Sequence, residues 1–267
     1  MATAMTRTEH NVSRQDGNVY YYKVGQGEPL VFLHNVELGH FIWEKTIDRF
    51  AEHYTCYVID LPGHDQSDIP PRQYGVEDYT KAILDVLDSI GLQKTSFVAS
   101  HGGCVVVVDI AANHPDRVKK IVFDGVPYWN VERGRILWER FWLPKFTDHT
   151  SYDVPVYPLG YWTDLIKTDP TRDTVHDENA ERISQKSRRW VSLTFEAITK
   201  YDVEAAGPKI KAPVLLAYGE HDALRRGEQR AIDGIPNVVH KVVSGAGSIH
   251  WDTPDEFVKM TLDFLQD

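Results

Sequence analysis

Thr95-Ser96-Phe97-Val98-Ala99-Ser100-His101-Gly102-Gly103-Cys104, running on through Val105–Val108 to Ala111, Ala112, His114 and Pro115, is the stretch that decides the fold. A short apolar β run, Ser96–Val98, meets a turn of small residues, and the turn opens a helix. A side chain at the apex of such a turn stands clear of the sheet, beside the free N–H groups of the helix N-terminus. Small residues two before and two after the apex let strand and helix approach. With Ser100 at the apex those flanks are Val98 and Gly102; with His101 they are Ala99 and Gly103, both small. Sterics favour His101, which puts an imidazole where a hydroxyl nucleophile is expected. The alternative keeps Ser100 as nucleophile, with Val98 tolerated by an opened turn.

Outward from this turn the chain alternates strands and helices. Asn18–Val24 and the apolar runs Leu30–Leu33 and Tyr57–Ile59 precede it as strands, and Val76–Ile90 is an amphipathic helix closed by Gly91. Ile121–Phe123, Val214–Tyr218 and Val238–Val243 follow as strands, and a final helix runs from about Pro254 to Leu265. Between Phe123 and Val203 the rhythm breaks, and this segment holds five of the seven tryptophans: Trp129, Trp138, Trp142, Trp162 and Trp190. The pattern implies an α/β class with a mostly parallel, doubly wound sheet. A core of residues 1–127 and 204–267 carries a helical, Trp-rich lid of residues 128–203, inserted after the strand ending near Phe123. The segment Met1–His10 is expected to fray.

A formal net charge of −10 argues against nucleic acid and anionic membrane surfaces as partners. No apolar run approaches the ~18 residues of a membrane span. Cys56 and Cys104 lie in apolar runs and act as small buried hydrophobes, which suits a cytoplasmic setting. The expected partner is a hydrophobic small molecule, and the expected state a monomer or homodimer.

Six pieces in order, Leu33-His34-Asn35, Asp60-Leu61-Pro62-Gly63-His64, Ala99–Gly103, His114–Val118, Gly219-Glu220-His221-Asp222 and Ile249-His250, give the chain a resemblance to the α/β-hydrolase superfamily over most of its length. The resemblance implies the α/β-hydrolase fold. In its usual pattern the nucleophile lies about ten residues after the helix-closing glycine and about fourteen before this proline. Gly91 to His101 is ten and His101 to Pro115 fourteen, whereas Ser100 gives nine and fifteen. The turn departs from G-x-S-x-G, which puts ester-type covalent catalysis in question.

The resemblance places the catalytic base at His250, after a Gly/Ser-rich loop, where an imidazole can exchange protons near neutral pH. Its acid is expected to be Asp222, after the Val214–Tyr218 strand, with Asp124 competing because some relatives place the acid after the preceding strand. Asn35, Val36 and Gly102 are expected to line an oxyanion site through backbone N–H groups. Trp162 and Trp190 are the tryptophans expected to wall the substrate pocket. His64 and Asp65 suggest no metal, since no cluster shows ligand spacing, and a solvated turn is expected there. No cofactor is expected.

These residues support three functions. The first is a hydrolase of an aromatic or cyclic carbonyl compound, an ester, lactone or ring C–C bond. The second comes from Ser100-His101-Gly102-Gly103, which is similar to the cofactor-free 3-hydroxy-4-oxoquinoline dioxygenases. In those enzymes a His–Asp pair deprotonates a ring that then reacts with O₂. Against it, the loop Asn35–His40 lacks the tryptophan and histidine expected there. The third is a non-catalytic binding protein, which has no use for an oriented base.

Overall fold

The computed structural model describes residues 5–146, 167 and 173–267. Eight strands form one sheet in the order β1-β2-β4-β3-β5-β6-β7-β8: Thr8–Arg14, Gly17–Val24, Glu28–Leu33, Tyr54–Ile59, Thr95–Ser100, Val118–Asp124, Val214–Gly219 and Val238–Val243. β1 and β2 pair antiparallel, as do β2 and β4, and all other neighbours are parallel. The helices are α1 (Ile47–Ala51), α2 (Val76–Ser89), α3 (Gly102–Asn113), α4 (Val131–Leu137), α5 (Thr174–Lys200), α6 (Val203–Ala206), α7 (Glu228–Gly234), α8 (Ile249–Asp252) and α9 (Pro254–Gln266).

Continuous apolar runs make the central strands because both faces are covered. Every residue of β4, β5 and β7 is buried. α3 carries Val105–Val108, poor helix formers, yet all four are buried, so packing overrides propensity. Between β6 and β7 the described residues contain helices and connecting loops but no strand, including a π-turn at Trp138–Trp142 and the 27-residue α5.

Two expectations are corrected. Part of the expected frayed N-terminus is β1, a polar edge strand whose Thr8 and Arg14 face Lys23 and Gly17 of β2. It buries almost nothing, so no apolar alternation announced it. His64 and Asp65 lie in a buried turn, not a solvated one. Trp190 of α5 covers that turn, its Nε1 donating to the Pro62 carbonyl at 2.9 Å. Gly63 has φ +83°, and a side chain there would collide with the Trp190 ring.

Cys56 and Cys104 are free and buried. Among the described residues no helix is long and apolar enough to cross a membrane.

Candidate active site

β5 ends at Ser100 and α3 begins at Gly102, and His101 between them adopts φ 45°, ψ −110°. Such a conformation is costly for a residue with a Cβ and marks a bend held by its surroundings. The His101 N–H donates to the Asp124 carbonyl at 2.9 Å, and its own carbonyl accepts from the Cys104 N–H. Gly102 and Gly103 are obligatory here. A Cβ on Gly102 would lie 2.2 Å from Val36 Cγ2, and one on Gly103 would lie 2.5 Å from the His34 carbonyl.

Ser100 is fully buried, and its Oγ has no hydrogen-bond partner among the described residues. His101 instead lines a cavity of about 610 Å³ together with Asn35, Val36, Gly102, Asp222 and the rings of Trp129 and Trp142.

Each of two imidazoles has its own carboxylate. His250 Nδ1 meets Asp124 Oδ2 in a close contact. His101 Nε2 lies 3.3 Å from Asp222 Oδ2. The expected pairing of Asp222 with His250 is therefore corrected, and the competing acid, Asp124, takes that place. β6 and β7 are parallel neighbours, with Asp124 opposite Ala217, so both acids emerge at the same edge of the sheet. Asp222 also caps the turn after β7, Oδ1 accepting from the Leu224 N–H at 2.8 Å. Gly125, at φ +69°, makes room for the second pair, since a Cβ there would lie 2.3 Å from Asp222 Oδ2 and 2.5 Å from His101 Cδ2.

Burial alone would lower the His101 pKa, but the charge and hydrogen bond of Asp222, with Asp124 and Glu37 farther off, raise it to about 9. His101 is thus cationic at neutral pH. His250 is buried, at 2 % side-chain exposure, and its Nε2 has no hydrogen-bond partner among the described residues. With Nδ1 facing a carboxylate, the Nε2 lone pair is left as the basic position. The Trp43 ring, 5.0 Å from the His250 ring, fixes one side of it. Trp43 carried no sequence signal beyond its apolar neighbours.

The loop after β3 is held by His34. Its Nε2 accepts the Leu61 N–H at 2.9 Å, and its Nδ1–H donates to the Asn35 carbonyl at 2.5 Å. Burial pushes its pKa well below the usual value, so it stays neutral. The loop brings Val36 against Gly102, whose N–H, as the first in α3, has no acceptor within the helix. Asn35 Oδ1 is buried without a hydrogen-bond partner among the described residues.

Of the two tryptophans expected to wall the pocket, Trp190 packs under Tyr74 and onto the Pro62 turn instead. Trp162 lies outside the described residues. Trp142, stacked on Phe195 at 4.3 Å, and Trp129 line the cavity in their place. Seven tryptophans in one sequence do not say which way each ring faces.

His64 Nδ1 donates to the Pro62 carbonyl at 3.1 Å, and burial lowers its pKa to about 4. Among the described residues one group, His40, Asp60 and Asp65, has donor atoms close enough to share a metal ion. His40 Nδ1 lies 2.9 Å from Asp60 Oδ2 and 3.6 Å from Asp65 Oδ2. Asp60 already accepts the backbone N–H groups of His40 and Gln66. Burial opposes a charge on His40, but the hydrogen bond and charge of Asp60, with the charge of Asp65 farther off, raise its pKa.

Comparison with known proteins adds family context. The family described as alpha/beta hydrolase fold matches residues 28–253. A pimeloyl-[acyl-carrier protein] methyl ester esterase of Vibrio campbellii is 30% identical over 211 residues, 78% of this chain and 81% of that one. An (E)-2-((N-methylformamido)methylene)succinate hydrolase of Acinetobacter baylyi is 28% identical over 108 residues, 40% of this chain and 41% of its own. In a further curated relative the match spans 36% of the length. An enol-lactonase of Burkholderia xenovorans LB400 shares the fold, with TM-score 0.76 at 18% identity, covering 97% of this chain and 100% of that one.

Proposed function

The chain belongs to the alpha/beta hydrolase fold family of enzymes, and from that premise we propose that it hydrolyses a hydrophobic aromatic or cyclic carbonyl compound, such as an ester or lactone, without a covalent intermediate. The observation that carries this is the exchange at the turn: His101 stands at the apex and lines the cavity, while Ser100 is buried behind it.

In this scheme water attacks the carbonyl carbon and gives its proton to Nε2 of His250, a buried ring outside the cavity lining that the attacking water has to reach as the substrate binds, and Asp124 stabilises the imidazolium. The oxyanion that forms is met by cationic His101 and by the N–H groups of Gly102 and Val36. On collapse, the leaving oxygen takes the proton back from His250. Asp222 acts through His101, keeping it charged. The described helices between β6 and β7, α4 and α5, serve as the lid, with Trp129 and Trp142 against the substrate's flat face. The free thiols of Cys56 and Cys104 suit a cytoplasmic setting.

Hydrolysis of dihydrocoumarin and 4-nitrophenyl esters tests the scheme, paired with a fluorophosphonate serine probe. Turnover with no labelling of the protein supports it. Labelling at Ser100 overturns it.

The pairing of His250 with Asp124 also suits a cofactor-free ring-cleaving dioxygenase, because the same base could deprotonate an electron-rich 3-hydroxy-4-oxoquinoline. Oxygen uptake on that substrate, with no lactone or ester turnover, would favour oxygenation. Ligand binding without either reaction would leave a binding protein.

A further inference from the structure

Three arginines, Arg133, Arg226 and Arg230, line the same cavity as His101. Clustering of this kind is unexpected in a chain of net charge −10. Arg133 Nη1 donates to both oxygens of Glu204, at 2.7 and 2.9 Å, and Arg230 Nε donates to Oε1 at 3.1 Å. Two guanidinium groups therefore share one carboxylate, which leaves positive charge over. Arg226 makes no ion pair or hydrogen bond among the described residues, whereas its neighbour Arg225 is bound to Glu228 and to the Glu220 carbonyl. The cavity's acids are otherwise engaged: Asp222 faces His101 and caps its turn, and Glu37 has contacts of its own. Most of the remaining wall is apolar, apart from Asn35, His221 and Ser248, and Ile136 and Leu137 stand on the same helix as Arg133.

We propose that the substrate carries a carboxylate, held by Arg226 with the Arg133–Arg230 pair beside it, while its apolar body lies along Ile136, Leu137 and Trp142. A planar guanidinium matches a carboxylate in two parallel hydrogen bonds. A positive cavity in a negative protein also draws an anion inward and away from the rest of the surface. The proposal names the substrate class for the hydrolysis put forward above and rests on that reading for its chemistry.

Equilibrium binding, which breaks no bond, tests it separately from hydrolysis. Tryptophan quenching is measured with 1-naphthylacetate and with its neutral amide, for the natural protein, Arg226→Gln and Arg226→Lys. The side chain of Arg226 is exposed, so both variants keep the fold. The acid is expected to bind about tenfold more tightly than the amide at low salt, with the ratio shrinking as salt rises. Arg226→Gln should bring the ratio to about one, and Arg226→Lys should restore part of it. Equal binding of acid and amide by the natural protein, or an unchanged ratio in Arg226→Gln, overturns the proposal. Failure of both probes' ester counterparts to turn over, with the acid preference intact, would count against hydrolysis and not against the anion site.

Discussion

Asp222 Oδ2 lies 3.3 Å from Nε2 of His101, so the acid after β7 serves the histidine of the turn and leaves His250 to Asp124. The two pairs are joined through one residue: the Asp124 backbone carbonyl accepts the His101 N–H, and its carboxylate meets His250. A hydroxyl-based triad needs a single imidazole between acid and nucleophile. Here a second imidazole stands at the bend between β5 and α3, and it faces an acid of its own.

Removing that second acid should change the pH profile before it changes anything else. His101 titrates at about 9 because of Asp222, against an ordinary value of 6.5. In Asp222→Asn the midpoint should fall toward or below 6.5, so at pH 8 the imidazole becomes neutral and the oxyanion loses its charged partner. The expected result is a kcat about 10²-fold below that of the natural protein at pH 8, with the gap between the two narrowing near pH 5.5, where both carry a protonated His101. The ring resonances of His101, followed by NMR titration, measure the midpoint directly. A midpoint unchanged by Asp222→Asn would remove Asp222 from this role.

The same shift couples to stability. A group whose pKa is raised on folding contributes fully below its unfolded value and loses the contribution as pH climbs through the folded value. The His101–Asp222 pair should therefore stabilise the protein at pH 6 and cease to do so above about 9. The drop across that window is on the order of 1–2 kcal/mol, reduced because part of the ring faces solvent. Urea midpoints at pH 6 and pH 9.5, compared between the natural protein and Asp222→Asn, check it. The variant should lack this component of the pH dependence.

Ser100 and His101 separate covalent from non-covalent chemistry. Ser100→Ala removes a buried hydroxyl that has no hydrogen-bond partner among the described residues. It should keep turnover within about threefold and cost little or no stability. His101→Ala should lower kcat by about 10²–10³, and His250→Ala by about 10²–10⁴. A large loss in Ser100→Ala with normal turnover in His101→Ala would restore Ser100 as nucleophile.

How much of this could be read from residues alone depended on how local each signal was. The sheet was legible because Leu30–Leu33, Tyr57–Ile59 and Val214–Tyr218 are unbroken apolar runs, and unbroken runs need cover on both faces. The apex at His101 was legible because Ala99 and Gly103 are the small residues the bend requires. The acid was not legible. Asp124 and Asp222 end neighbouring strands, and which carboxylate faces which imidazole depends on side-chain direction across the sheet edge. The burial of His64 and Asp65 was hidden for a similar reason, because Trp190, which covers their turn, comes from a helix more than a hundred residues later.

Gly125 gives the most economical test of the whole arrangement, because it carries no functional group. A methyl there would sit 2.3 Å from Asp222 Oδ2 and 2.5 Å from His101 Cδ2, at a φ of +69°. Gly125→Ala should therefore drive the pair apart and add backbone strain, costing about 1–3 kcal/mol. The functional signature matters more than the cost. If the mutation acts by separating His101 from Asp222, its pH profile should match that of Asp222→Asn, and the double variant should be little worse than either single one. Kinetics of the two single variants and the double variant at pH 5.5 and 8, with thermal unfolding to confirm folding, decide it. Additive losses would mean that Gly125 acts on something other than this pair.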